Sequence, residues 1–500
     1  MNQHQLVQKA TAVADILLAG VATLAMAVFL YIVYYYFWTA QRQISSWEGI
    51  LTYYITPGLL AAALFACLRL PPSQRINIVL AFYSATTVIY LFEAGVTVWL
   101  NMPSVINAHN RSVRARAAAA YGVKFDARSK REVVNDLRSR GIDAVPTVYP
   151  KVLLQRISQD TARSLVTIGG QEALPPGSIS RRTTIVCNET GEFVTYVSDE
   201  HGFNNPKGLW DKGPMDIVTL GDSYTQGFCV QPEKHFVTAI RKRYPKTLNL
   251  GIEGNGPLLM LAAIKEYAQA LRPKLVLWFY YEGNDLTDLQ LEKDSQLLRS
   301  YLTPGFRQGL LQRQAEIDQA LSDYIEPLLR QGTLSRSLEE ISSVVRDFNR
   351  NTLENIFKLW SIRTRLGMIQ GRLSRPLVRT ELSMRNNDQE ALRLLDLINH
   401  TLRDIVFEAN RSIEECGGRL YFVYLPASTN YTLTETPPSG HHEVLKIVAS
   451  LGIPIIDIRQ IFDAHKDPLA LFPFRVDGHY NEEGDSVVAQ EVLSVISNEF

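Results

Sequence analysis

Cysteine is sparse in this chain. The four present in 500 residues, Cys67, Cys187, Cys229 and Cys416, are widely scattered and form no C-x-x-C pair. Neither a zinc site nor a disulfide framework is therefore expected, and the cysteines leave the redox compartment open. Net charge is absent as well: 51 basic and 51 acidic residues cancel. No global field draws in nucleic acid or an acidic polymer, so nucleic acid is set aside as a partner. The pair His441-His442 has no further histidine or carboxylate at helical spacing. No metal and no cofactor are expected. No internal repeat is present, which argues against a solenoid or propeller.

Long apolar runs are confined to the first hundred residues. Residues 16–38, 50–68 and 78–100 are each nearly unbroken. Each is long enough to cross a hydrocarbon core of about 30 Å as a helix. The first ends in Tyr31, Tyr34, Tyr35, Tyr36, Phe37 and Trp38, which suits a membrane–water interface and is too aromatic for a signal-peptide core. Three such runs in succession are hard to hide in a soluble core. The expectation is three N-terminal transmembrane helices in residues 1–100, a multi-pass protein with the lipid bilayer as partner. The charges flanking the runs conflict. The basic link from Arg69 to Arg75 favours a cytoplasmic loop and places the chain after Leu100 outside, whereas Arg111, Arg114 and Arg116 argue the reverse. A whole domain translocates largely regardless of charge, so an extracytoplasmic, periplasmic catalytic part is the working expectation.

Residues 101–210 read as a linker or accessory region, with a helix near Lys130 to Arg140 and a β-hairpin over Thr183 to Val197 turning at residues 188–192. From residue 211 to 500 a different pattern holds. Strand-like runs at 216–220, 247–252, 274–281, 419–425 and 453–456 alternate with helical stretches such as 258–271 and 442–451. Apolar strands separated by helices imply a parallel sheet covered on both faces, an α/β fold. Residues from about 286 to 411 are rich in Leu, Arg, Gln and Glu at helical spacing and read as a helical insertion, either a cap or a solvated hairpin.

Open α/β sheets place ligands beyond the carboxyl ends of their strands. Gly221-Asp222-Ser223 follows the first strand, Glu253-Gly254-Asn255 the second, and Glu282-Gly283-Asn284 the third, while Asp477-Gly478-His479 precedes a final helix. These residue types suit acyl transfer. Ser223 is a candidate nucleophile and needs a base within reach. His479 can take its proton and return it to a leaving alcohol. Asp477 can orient the imidazole. The backbone N–H groups of Ser223 and Gly254 and the amide of Asn284 can form an oxyanion hole. Alone, Ser223 would be read as a turn residue or helix N-cap; its place after an apolar strand, with Gly254, Asn284 and His479 following in order, is what points to chemistry. Asp222 reads as a cap for the next helix, Asp285 and Asp288 as a solvated helix start, and His201 as structural.

With these residues the chain resembles the SGNH hydrolases, or GDSL-like esterases and lipases. Gly221-Asp222-Ser223 looks like the family's first block, Gly254 like its oxyanion glycine, Asn284 like its asparagine and His479 like its histidine. The resemblance implies a three-layer α/β/α domain and an ester-acting enzyme of the membrane-anchored bacterial type. Two positions depart from the pattern. Glu282 stands where a glycine usually precedes the asparagine by two, and Val476 stands where an aspartate usually precedes the histidine by three, leaving Asp477 one place late. Thr225 also rules out the G-x-S-x-G elbow of α/β-hydrolases. The expected function is a membrane-anchored serine ester hydrolase working through an acyl-serine on an acyl ester or acylated glycan. The alternatives are an O-acyltransferase acting on an envelope or exopolysaccharide sugar, and a non-catalytic assembly protein with a degenerate pocket.

Overall fold

A computed structural model describes residues 3–34, 47–100, 103–158, 160–331, 356, 394–432, 440–476 and 478–500. The chain divides into two compact units, one of Met1–Leu100 with Arg350–Ser374, the other of Asn101–Asn349 with Arg375–Phe500.

In the first unit, two helices are long and apolar enough to cross a membrane, Gln5–Tyr34 and Pro72–Trp99. The middle apolar run differs from expectation. It begins as an α-turn, Trp47–Ile50, passes through a π-helical segment, Leu51–Ile55, and continues as the α-helix Thr56–Cys67. That last helix has 12 residues, about 18 Å at 1.5 Å per residue, short of a bilayer's core. The count of three spanning helices is thus corrected to two among the described residues. The aromatic residues 35–38 lie outside the described residues.

The second unit is organised around a parallel sheet. Its smaller strands come first in the chain: β1 (Ala144–Pro146), β2 (Thr183–Ile185) and β3 (Thr195–Val197) form a separate three-stranded sheet in the order β1-β2-β3. The β2–β3 pair is antiparallel, which is the hairpin expected from the sequence. The main sheet comprises β4 (Ile217–Leu220), β5 (Thr247–Asn249), β6 (Leu275–Tyr281), β7 (Arg419–Leu425) and β8 (Ile455–Asp457) in the order β8-β7-β6-β4-β5. All its pairings are parallel, with Trp278 of β6 level with Leu220 of β4 and Phe422 of β7.

Successive strand side chains point to opposite faces, and both faces are covered. Val218, Val276, Trp278, Tyr280, Leu420 and Phe422 join one core with helices Pro257–Glu266, Arg403–Glu414 and His441–Ser450. Ile217, Leu275, Leu277, Phe279, Tyr421 and Val423 join the other with Phe236–Arg243, Ile458–Ala464 and Glu482–Ile496. Double coverage explains why β6 reads as an unbroken apolar run rather than an alternating one.

Residues 103–210, expected as a linker or accessory region, share the compact unit of the sheet, because β1, β2 and the helix Lys130–Ser139 contribute Val133, Val134, Val145 and Ile185 to its larger core. Two features differ from the sequence reading. Within the expected insertion, Arg403–Glu414 is a layer helix: Ile405, Val406, Ala409 and Ile413 are buried in the sheet's core. About half of the expected insertion, residues 332–355 and 357–393, lies outside the described residues, and Leu289, Leu298, Ile317 and Leu321 of the described part join the sheet's core. Finally, Asp285 and Asp288 are not solvated; their exposures are 0% and 1%. Asp285 accepts the N–H of Tyr281, and Asp288 is paired with Lys151 Nζ at 2.5 Å. The polarity of about two helical turns in the sequence cannot reveal which face of a short helix meets the protein.

Candidate active site

Ser223 opens a four-residue helix, Ser223–Gln226, directly beyond β4. Asp222 caps it, its Oδ1 accepting from Tyr224 N at 2.9 Å. The other oxygen of Asp222 accepts from Asn284 Nδ2 at 3.0 Å, tying the end of β6 to the nucleophile turn. Burial pushes the Asp222 carboxyl up to about 6, against the lowering effect of those two hydrogen bonds.

His479 reaches Ser223 from the far end of the chain. Its Nε2 lies 2.8 Å from Ser223 Oγ, a distance suited to proton transfer. The imidazole packs against Tyr224 and Phe228, each with ring centroids 4.6 Å away. Tyr224 also donates its hydroxyl to the Gly478 carbonyl at 3.1 Å, fixing the loop that carries the histidine.

The carboxylate behind the histidine is Glu189. Its Oε2 lies 3.3 Å from His479 Nδ1 and accepts the His479 backbone N–H at 2.8 Å. Its Oε1 pairs with Arg114 Nη1 at 2.6 Å. Burial alone would raise this carboxyl, but Arg114 and His479 more than reverse the effect and hold it well below the usual range. Glu189 therefore stays ionised beside the imidazole, the state that favours an imidazolium during proton transfer. The loop is shaped locally: Asn188 Oδ1 accepts from Gly191 N at 2.9 Å, and Asn188 Nδ2 donates to the Asp126 carbonyl at 2.8 Å. A Cβ at Gly478 would lie 2.5 Å from Glu189 Oε2, so a larger residue there would displace the carboxylate from its present position.

Asp477, expected in this role, lies outside the described residues. Glu189 and Arg114 were missed as site residues. Glu189 read as part of a hairpin turn, and Arg114 as a charge flanking a span. The available signal was negative: Val476 in place of the usual aspartate implied that an acid had to come from elsewhere.

A disulfide between Cys187 and Cys229 joins the two sides, with a sequence separation of 42. It ties the Glu189 loop to the segment just after the Ser223 helix. This corrects the expectation that no disulfide would form; widely spaced cysteines carry no local signal, and the fold alone brings them together.

Ser223, Gly254, Asn284 and His479 line one cavity of about 540 Å³. Gly254 has φ +73°, a left-handed conformation that glycine adopts freely. Behind it, Glu292 accepts the N–H groups of Gly256 and Leu258 at 2.7 and 2.8 Å, capping the helix that starts at Pro257. The serine, glycine and asparagine that follow three parallel strands and the histidine before the last helix thus surround one pocket.

Among solved structures, the chain is similar to a member of the lipolytic protein G-D-S-L family from Veillonella parvula, with 12% identity over 57% of this chain and 98% of that one and a TM-score of 0.28. It is also similar to an α/β hydrolase from the metagenome of Lake Arreo, with 11% identity over 59% of this chain and 100% of that one and a TM-score of 0.29. A two-domain esterase active on acetylated mannans shows 11% identity over 58% of this chain and 50% of that one, with a TM-score of 0.27. At these scores the likenesses carry no argument. No protein-family model and no curated protein matches the chain.

Other histidines lie elsewhere. His201 packs on Trp210 with ring centroids 4.3 Å apart, and His441 Nε2 meets Asp457 Oδ2 at 3.1 Å. Glu189, Cys229 and His479 bring ligand-type atoms within 4.8 Å of one another, but the Cys229 sulfur is committed to the disulfide and the other two to each other and to Arg114 and Ser223.

Proposed function

We propose that this protein is a membrane-anchored serine ester hydrolase in which Ser223, His479 and Glu189 act as a relay. The observation that carries this reading is the 2.8 Å contact of Ser223 Oγ with His479 Nε2, with the Glu189 carboxylate at Nδ1. Ser223 Oγ attacks the ester carbonyl while its proton passes to His479 Nε2. The negative oxygen is met by N–H groups of Ser223, Gly254 and Asn284. The carbon–oxygen bond to the alcohol then breaks, and His479 returns the proton to the departing oxygen. Water attacks the acyl-serine, gives its proton to His479, and Ser223 leaves reprotonated as the carboxylic acid is released. No cofactor is required by these steps.

The acyltransferase reading uses the same atoms with a sugar hydroxyl replacing water. The charged lining of the cavity, including Arg111, Arg128, Lys130, Lys151 and Glu253, favours a hydroxyl-rich partner over a long acyl chain. Two long apolar helices support membrane attachment. The Cys187–Cys229 disulfide supports a catalytic unit in an oxidising, extracytoplasmic compartment.

The test is labelling of the detergent-solubilised protein with a fluorophosphonate, beside Ser223→Ala and His479→Ala. Label lost in both variants is the expected result. A folded wild-type protein that takes no label points instead to a non-catalytic assembly role. Adding a glycan acceptor then separates transfer from hydrolysis by product partition.

A further inference from the structure

The active-site cavity contains a charged pair that the Ser223–His479–Glu189 relay does not use. Glu253 immediately precedes Gly254, lines the cavity, and has its Oε2 buried with no hydrogen-bond partner. Lys130 Nζ stands 3.8 Å from that oxygen, beyond hydrogen-bond range. A buried acceptor left without a donor is costly, and each one calls for an explanation. Burial also pushes the Glu253 carboxyl above its ordinary range, with Lys130 the main opposing influence.

The pair is placed where an alcohol must pass. Lys130 Nζ lies 5.3 Å from the centroid of Phe228, whose ring packs on His479 at 4.6 Å. His479 is the group that returns a proton to the departing alcohol, so the alcohol half of the ester lies beside these residues. On the other side, Glu253 is held by its backbone N–H, which donates to Gln226 Oε1 at 2.8 Å in the helix that begins at Ser223. A hydroxyl both donates and accepts, so it is the neutral group that answers a carboxylate and an ammonium together. A fatty or aryl alcohol keeps no free hydroxyl, and so no donor for the carboxylate, once its single oxygen is esterified.

We propose that Glu253 and Lys130 form the subsite for the alcohol half of the ester, and that this alcohol is polyhydroxylated, a saccharide. Glu253 accepts from one of its hydroxyls and Lys130 donates to it or to a neighbour. This rests on the ester-acting reading above and assigns it a substrate class and the residues that select it.

The experiment compares two acetate esters on the full-length, detergent-solubilised protein: a partially O-acetylated hexose oligosaccharide and p-nitrophenyl acetate. For wild type, Glu253→Gln and Lys130→Met, the quantity read is the ratio of kcat/KM for the sugar ester to that for the aryl ester. Each substitution is expected to lower the ratio about tenfold, mainly through KM, because a charge-assisted hydrogen bond becomes a neutral or missing one. If both variants fold, by circular dichroism, and keep the wild-type ratio, the subsite is overturned while the hydrolase reading stands. If wild type turns over neither ester, the hydrolase reading falls and the subsite with it. Should Glu253→Gln fail to fold, Lys130→Met alone decides the question.

Discussion

Ser223 and Glu189 flank the same imidazole, yet the chain builds the two positions in different ways. Ser223 sits three residues beyond a strand of the doubly covered sheet, and its neighbours Gly254 and Asn284 follow the next two strands. Their convergence is a property of parallel topology: strands that point the same way deliver their following residues to one edge. Glu189 comes from a loop of a separate small sheet and is held by Arg114, from a different helix, and by a disulfide. The nucleophile side is positioned by backbone periodicity, whereas the acid side is positioned by side chains and a covalent link. The first kind of position tolerates local change that leaves the sheet intact; the second depends on individual contacts.

The comparison can be tested at both ends. The largest effect is expected at Ser223→Ala or His479→Ala, each lowering kcat for ester turnover by about 10⁴-fold or more, and the double variant should lose little further. Full additivity in stopped-flow or steady-state assays would show that the two side chains do not act as a unit. Next, Glu189→Gln keeps the shape of the acid but not its charge, with an expected loss on the order of 10²–10⁴-fold in kcat. A Glu189→Gln enzyme as active as wild type would remove the acid side from the relay and return attention to Asp477.

Two smaller effects concern how the acid side is held. Separating Cys187 from Cys229 by a double Ser substitution releases a loop closed across 42 residues, worth about 3–4 kcal/mol of stability in the chain-entropy account. Urea unfolding, with and without reductant on the wild type, measures it. If the staple matters to the relay, reduced wild type also loses activity before it unfolds; coincident loss would mean the disulfide serves stability alone.

The smallest effect is electrostatic. Glu189 has its folded pKa depressed below the ordinary 4.5 by Arg114 and His479, against the opposing pull of burial. A depressed carboxylate binds protons more weakly in the folded than in the unfolded state. Its stabilisation is therefore complete above about pH 4.5 and is lost as pH falls toward the depressed value. Arg114→Ala should shrink that contribution, so the stability gap between wild type and variant is widest at neutral pH and narrows on acidification below 4.5. A gap that stays constant from pH 7 to pH 3, measured by urea midpoints, would assign Arg114 a packing role only.

Legibility follows the same division. The five strands of the main sheet are readable because each is a short, β-rich apolar run, and the residues next to them inherit a place from topology. His479 is readable through its motif before the last helix. Glu189 is 290 residues from His479, and nothing in the local pattern of a polar hairpin turn distinguishes an acid facing solvent from one facing an imidazole. Asp285 and Asp288 show the same ambiguity in reverse: acidic residues in a first helical turn suit an exposed N-terminus, yet here they are buried beside Tyr281 and Lys151.

By itself, then, the sequence determined the quantities that depend on near neighbours: apolar runs of membrane length, the strand–helix alternation that requires a covered parallel sheet, and the glycines, serine and asparagine at strand ends. Tertiary structure alone decided which carboxylate meets His479, that Arg114 neutralises it, that Cys187 finds Cys229, and that Glu253 and Lys130 share the cavity with Ser223. The physical reason is that hydrogen bonds, ion pairs and sulfur–sulfur bonds act over a few ångströms of space without regard to separation along the chain, while periodicity and propensity act only along it.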